Sequence, residues 1–199
     1  MISENENWSL LGASRGLGFE FSKLVPLLDK NISMFLASRT INGFDFSKTD
    51  LFEFYCERVF ETKPQRIFYF AAGGTYGPFG KYEWKDHQWT MNVSFNFPAF
   101  LLNYFLKNHQ GLKQIVFIGS DIAENKPDPN AAMYCAAKHA LKGLTGSVML
   151  ENPPFQITLY SPGYMNTNML PKNAWPRANG QVSEPSHVAE DLLKHVQLI

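Results

Sequence analysis

The chain has 199 residues, 45% of them hydrophobic and 15% aromatic, which suits one globular domain over 1–199 with a substantial apolar core and excludes disorder. Lys plus Arg and Asp plus Glu number 18 each, so no basic field is on offer to nucleic acid or to an anionic membrane surface. The start, Met1 to Asn7, is polar, and no apolar run reaches the ~20 residues needed to span a bilayer; a cytoplasmic protein with a small neutral or mixed ligand is expected. Cys56 and Cys135 match no metal or redox spacing and read as free thiols, and the five histidines show no HExxH pattern, so no metal site is expected.

Short apolar runs alternate with longer helix-like stretches, the pattern of a parallel sheet covered on both faces. The predicted strands are Trp8–Leu11, Ser33–Ser38, Arg66–Ala71, Gln114–Gly119 and Gln156–Tyr160. Helices are predicted at about Gly16–Leu28, Asp50–Thr62, Lys85–Asn108, Ala131–Leu150 and Pro185–Val196. The fold class is α/β, a Rossmann-like doubly wound sheet of about five strands.

After the first strand comes Gly12-Ala13-Ser14-Arg15-Gly16-Leu17-Gly18, spaced GxxxGxG and leading straight into a helix. Small residues there let the backbone approach a pyrophosphate, and the helix N-terminus offers N–H donors. An acidic residue about 20 positions past such glycines would accept from a ribose 2′-hydroxyl and select NAD. Here stand Ser38 and Arg39 instead, and a guanidinium suits a 2′-phosphate, with Arg15 as a second cation. NADP is therefore favoured over NAD; the alternative is that Arg39 caps a strand end and Arg15 is solvated. Asp45-Phe46 is placed to meet an adenine ring, although a polar turn explains it nearly as well.

Tyr134 and Lys138 lie four apart on a predicted helix and so emerge on one face. An adjacent ammonium would stabilise phenolate and lower the phenol's pKa, making it a usable proton donor and acceptor. YxxxK alone is common, but here it follows a strand ending in Gly119-Ser120, whose hydroxyl can polarise the same substrate oxygen. The segment at about 164–184, with Pro171, Pro176, Asn179 and Gly180, has the composition of either a substrate lid or a plain surface connection. Tyr76, Phe79, Tyr164 and Trp175 suggest an apolar or ring-bearing substrate, and core packing accounts for them about equally well.

From Leu10 to Thr167 these motifs, in this order, resemble the short-chain dehydrogenase/reductase family. Gly12, Gly16 and Gly18 match its glycine motif, and Asn92, in Met91-Asn92-Val93, matches the asparagine of its preceding helix. Ser120 matches its serine, Tyr134 and Lys138 its YxxxK, and Pro162, Gly163 and Thr167 its PGxxxT. The resemblance implies Tyr134 as acid/base, Lys138 tuning it and holding the nicotinamide ribose, Ser120 orienting substrate, and Asn92 fixing a relay water. It also implies that Gly163 through Thr167 hold the carboxamide. The family's Asn-Asn-Ala-Gly is Phe70-Ala71-Ala72-Gly73 here, where the cofactor would pass. The helix and strand expected between Arg39 and Asp50 are missing, since a parallel crossover needs a dozen or more residues. The family's final strand is missing too, which makes this a shortened member with strand order 2-1-3-4-5.

The implied activity is NADP-dependent hydride transfer between nicotinamide and a carbonyl or alcohol. The runner-up is a non-catalytic NADP-binding sensor or scaffold, and a third reading is a pterin-type reductase. The 85–108 helix is apolar on more of its circumference than a sheet face covers, so a homodimer is expected through it and the 131–150 helix, and no tetramer in the absence of the final strand; burial within the same chain is the alternative.

Overall fold

A computed structural model describes residues 6–121 and 125–196, so the polar start at 1–5 lies outside it. The strands are β1 (Asn7–Leu11), β2 (Ser33–Ala37), β3 (Arg66–Tyr69), β4 (Gln114–Ile118) and β5 (Gln156–Tyr160). All pair in parallel in the order β2-β1-β3-β4-β5, the order expected. The helices are α1 (Gly16–Leu28), α2 (Phe52–Glu61), α3 (Trp84–Met91), α4 (Phe97–Lys107), α5 (Ala132–Met149) and α6 (Pro185–His195). Between β2 and the short 3-10 turn at Thr49–Leu51 the chain forms only turns, as the spacing required.

Each sheet face buries its own apolar set. On one side Leu10, Phe68 and Val116 meet Phe21 and Val25 of α1 and Leu192 and Leu193 of α6. On the other, Leu11, Ile67, Ile115 and Ile157 meet Val59 of α2, Leu101 and Phe105 of α4 and Leu141 of α5. Central strands buried on both faces read as continuous apolar runs, which is why β4 was easy to place. At the opposite end of the sheet from the glycine turn, the carboxylate of Glu6 accepts from Trp8 Nε1 (2.8 Å), Arg66 Nε (3.2 Å) and Lys113 Nζ (2.7 Å). Arg66 continues to the Gln114 side chain, and Gln114 Nε2 donates to Thr158 Oγ1 (2.9 Å), so one polar chain joins the starts of β1, β3, β4 and β5.

The predicted 85–108 helix is broken by a π-helical turn at Asn92–Asn96. Pro98 has no N–H, so the carbonyl of Val93, five residues earlier, finds no donor in the widened turn. The Tyr69 hydroxyl donates to it instead, at 2.7 Å. The apolar girth of α4 is largely met within the chain: Phe97, Leu101, Leu102 and Phe105 are buried, Phe100 packs on Phe52 and Tyr104 on Phe60.

Candidate active site

The carboxyl ends of β1 and β3 carry the floor of a cleft of about 990 Å³. Gly12 sits at φ +94, and a Cβ there would lie 2.4 Å from the Ala71 backbone nitrogen, so only glycine lets the two strand ends come together. Gly12 N–H donates to the Ala37 carbonyl (2.7 Å) and Phe70 N–H to that of Leu11 (2.7 Å). Gly16, at φ +58, opens α1, and Thr167 lies within van der Waals reach of it from across the cleft. Arg15, in the N-cap position of α1, is extended and makes no side-chain cap, which leaves the first-turn amides open to an anion.

Of the residues singled out in the sequence, Gly12, Ser14, Arg15, Gly16, Leu17, Ser38, Arg39, Asp45, Phe46, Ala71, Ala72, Ser120, Tyr134, Lys138, Pro162, Gly163 and Thr167 all line this cleft. Arg15 and Arg39 are exposed, and among the described residues neither takes part in a salt bridge. Two free cations therefore mark the outer end. The Asp45 carboxylate accepts from the amide (3.1 Å) and hydroxyl (2.7 Å) of Ser47, so it closes a turn. Phe46 is foremost a core ring, buried among Phe44, Tyr55, Tyr69 and Phe97, rather than a free platform for adenine.

Three of the singled-out residues stand back from the cleft. Gly18 fits against the Gly12 carbonyl and Phe70, where a Cβ would clash at 2.8 Å. Gly73 fits against Trp89, and the Ser94 hydroxyl closes its turn, donating to its carbonyl at 2.9 Å and accepting from its N–H at 3.2 Å. Asn92 Nδ2 donates to the Ser47 carbonyl (3.0 Å) and its Oδ1 accepts from Asn96 (2.8 Å), so this side chain is spent on packing the π turn against the 45–48 loop.

At the inner end Ser120 stands close enough to the Tyr134 phenol to lower its pKa in part. Lys138 is fully buried, with Nζ 2.7 Å from the Ile118 carbonyl and 5.4 Å from the centre of the Tyr134 ring. Burial pushes the Tyr134 phenol up to about 12 against a partial lowering by Ser120, and pushes the Lys138 ammonium down to about 7. The expected direction for the phenol is reversed. Burial outweighs any lowering by Lys138, whose own ammonium the same buried floor disfavours.

Sequence patterns gave no sign of Ser94, nor of Arg177, whose guanidinium donates to the Leu170 (3.0 Å), Pro171 (3.1 Å) and Thr167 carbonyls and to the Asn166 side chain. These bonds fix the 166–171 stretch as a wall of the cleft, while Trp175 points to solvent. Among the described residues no group of three or more His, Cys, Asp or Glu side chains gathers as a metal site, and no helix is long and apolar enough to cross a membrane.

A family profile described as short chain dehydrogenase matches residues 43–177. The chain belongs to that family. This short chain dehydrogenase is 30% identical over 128 residues to an uncharacterized oxidoreductase of Schizosaccharomyces pombe, covering 61% of the chain and 41% of the relative. It is 28% identical over 102 residues to the human 15-hydroxyprostaglandin dehydrogenase [NAD(+)], covering 49% and 38%. The matches thus span about two fifths of the length of these relatives. Among solved structures, an alcohol dehydrogenase from the archaeon Thermococcus sibiricus complexed with 5-hydroxy-NADP superposes with a TM-score of 0.80 at 18% identity, over 98% of this chain and 91% of that one.

The buried lysine makes a testable mark on stability. Its folded pKa of about 7 lies below the ordinary 10.5, so between those values the unfolded chain binds a proton that the folded chain has released. Stability from this group therefore rises with pH through that window and is least below it. In urea titrations across the window, Lys138→Met should flatten the rise; an unchanged pH slope would contradict the assignment.

Proposed function

We propose that the chain, acting as one domain, is an NADP-dependent oxidoreductase that exchanges a hydride between nicotinamide and a carbonyl or alcohol carbon. The supporting observation is the presence, in one cleft, of two guanidiniums with no salt bridge among the described residues at the outer end and of Ser120 beside Tyr134 over a buried lysine at the inner end. The open amides of α1 and the absence of a Cβ at Gly16 fit a pyrophosphate, and Arg39 with Arg15 fits a 2′-phosphate. A bound nicotinamide dinucleotide supplies the hydride chemistry.

The chain's own residues supply the rest. Ser120 holds the substrate oxygen beside the phenol, and Tyr134 Oη delivers the proton as the oxygen gains negative charge. Lys138 lies beneath the ring and draws a proton as charge accumulates above it. Ala71, Ala72, Pro162, Gly163 and Thr167 form the walls that keep water from the reacting face. Asn92 works through position, by joining the π turn to the loop that carries Asp45.

Because burial keeps the phenol protonated up to about 12, a donor is available throughout the neutral range, whereas the phenolate that alcohol oxidation requires becomes common only as pH climbs. Reduction should therefore dominate at neutral pH and oxidation should rise steadily with pH; Tyr134→Phe should abolish both while leaving cofactor binding nearly intact. Comparable turnover by the purified variant would defeat the mechanism.

Arg39→Ala should weaken NADPH by about 1.5 to 3 kcal/mol, the scale of a charge-assisted hydrogen bond, with little effect on NADH. Fluorescence titration of both nucleotides reads this directly, and an unchanged preference would remove NADP from the assignment.

We further propose that two copies pair through α4 and α5. Leu150, 84% exposed, and Met149 lie bare at the end of α5, and two-fold closure is the commonest form of self-association. Light scattering should give about twice the 22.6 kDa of one chain, and a single-chain mass at micromolar concentration would reject the pairing.

A further inference from the structure

The inner end of the cleft carries an arrangement that proton transfer does not use. Tyr76, on the loop after β3, and Tyr164, on the loop after β5, both line the cleft. Their hydroxyls donate to the same atom, Asp128 Oδ2, at 3.2 and 3.0 Å. The other carboxylate oxygen accepts from Asn130 N–H at 2.8 Å. Asp128 is 9% exposed and has no salt-bridge partner among the described residues. Three loops are thereby tied at one buried anion just N-terminal to α5, the helix that presents Tyr134.

Two consequences follow. Both tyrosine hydroxyls are committed away from a ligand, and burial together with the neighbouring carboxylate raises their pKa, so they remain donors to Asp128. The rings of Tyr76, Tyr164 and Trp89 thus line the cleft wall together with Tyr134. The second consequence is electrostatic. A carboxylate only 9% exposed behind two tyrosines is screened less than one at the open surface. The exposed guanidiniums of Arg15 and Arg39 belong to the other end, and the nearby Lys138 ammonium is turned to the Ile118 carbonyl.

We infer that Asp128, with Tyr76 and Tyr164, is a specificity determinant: the site takes carbonyl compounds that present an uncharged ring to this wall and rejects those carrying an anionic group on it. The inference rests on the hydride-transfer function proposed above and adds the charge class of its substrate. Asp128 does not touch the reacting atoms; it shapes the wall and sets its potential.

A charge series on the wild-type protein tests this. NADPH oxidation is followed with benzaldehyde, 4-carboxybenzaldehyde and 4-(trimethylammonio)benzaldehyde, which differ chiefly in charge at one position. The neutral compound should exceed the anionic one in kcat/KM by about tenfold or more, the scale of one weakly screened charge within the site, and the cationic compound should not suffer that loss. In Asp128→Asn, whose amide oxygen can still accept from a tyrosine, the gap between neutral and anionic should narrow by most of that factor. Because the series on the wild type stands by itself, a poorly folding variant leaves the test intact. Equal or better use of the carboxylate compound would overturn the inference while leaving hydride transfer standing. Turnover of none of the three by protein that binds NADPH would also overturn it. Failure to bind either nicotinamide nucleotide would instead bring down the function on which it rests.

Discussion

The cleft exists because the backbone at Gly12 can lie against the backbone at Ala71. With φ at +94 and no side chain, Gly12 turns out of β1 while its N–H holds β2 through Ala37 and the Leu11 carbonyl just before it holds the end of β3 through Phe70. The sheet order reverses its direction at this point, which is where a doubly wound sheet opens a crevice at the carboxyl ends of its strands. A methyl group at position 12 would force the ends of β1 and β3 apart and displace the start of α1 with its open amides. The glycine turn that opens α1 and the cleft residues Ser120, Tyr134 and Lys138 line the one cleft that this close contact floors.

Ionisation at the inner end follows from how tightly the second half of the sheet is covered. Lys138 lies under Tyr134 with its ammonium on the last carbonyl of β4, and among the described residues it has no acidic partner within salt-bridge reach. A cation in such a place resists its charge, and a phenol above it resists its own. Burial thus disfavours charge on both side chains of the pair. Ser120 works in part against burial of the phenol. Gly74 makes room for the ring, since a Cβ there would approach that of Tyr134 to 2.9 Å.

The periodic parts of the fold could be read from the chain because each strand is a short apolar run and each helix has an apolar stripe. β5 and α1 fall where the pattern placed them, and the missing crossover after β2 was legible from the short spacing once the family resemblance said what to expect there. The π turn was not, because nothing local shows that the Val93 carbonyl, left without a donor by Pro98, is met by Tyr69, 24 residues before Val93 in sequence. Position, likewise, could be read for Ser120, Tyr134 and Lys138, but their ionisation could not, since a one-dimensional pattern carries no measure of burial. Asn92 shows the converse case. Its place in the sequence pattern is right, yet its side chain is turned to Ser47 and Asn96. Asp128 and Ser94 belong to no motif, and only the meeting of distant loops gives them a role.

The guanidinium of Arg177 holds the stretch from Asn166 to Pro171 through its carbonyls and one side-chain amide. A segment rich in turn formers would ordinarily surrender conformational freedom when it closed over a ligand, and each residue so fixed would subtract roughly 1 to 2 kcal/mol from affinity. Here that freedom is already surrendered in the folded chain. Capture of a ligand meets a wall that is in place, and departure cannot be hastened by the wall swinging aside unless several hydrogen bonds part together.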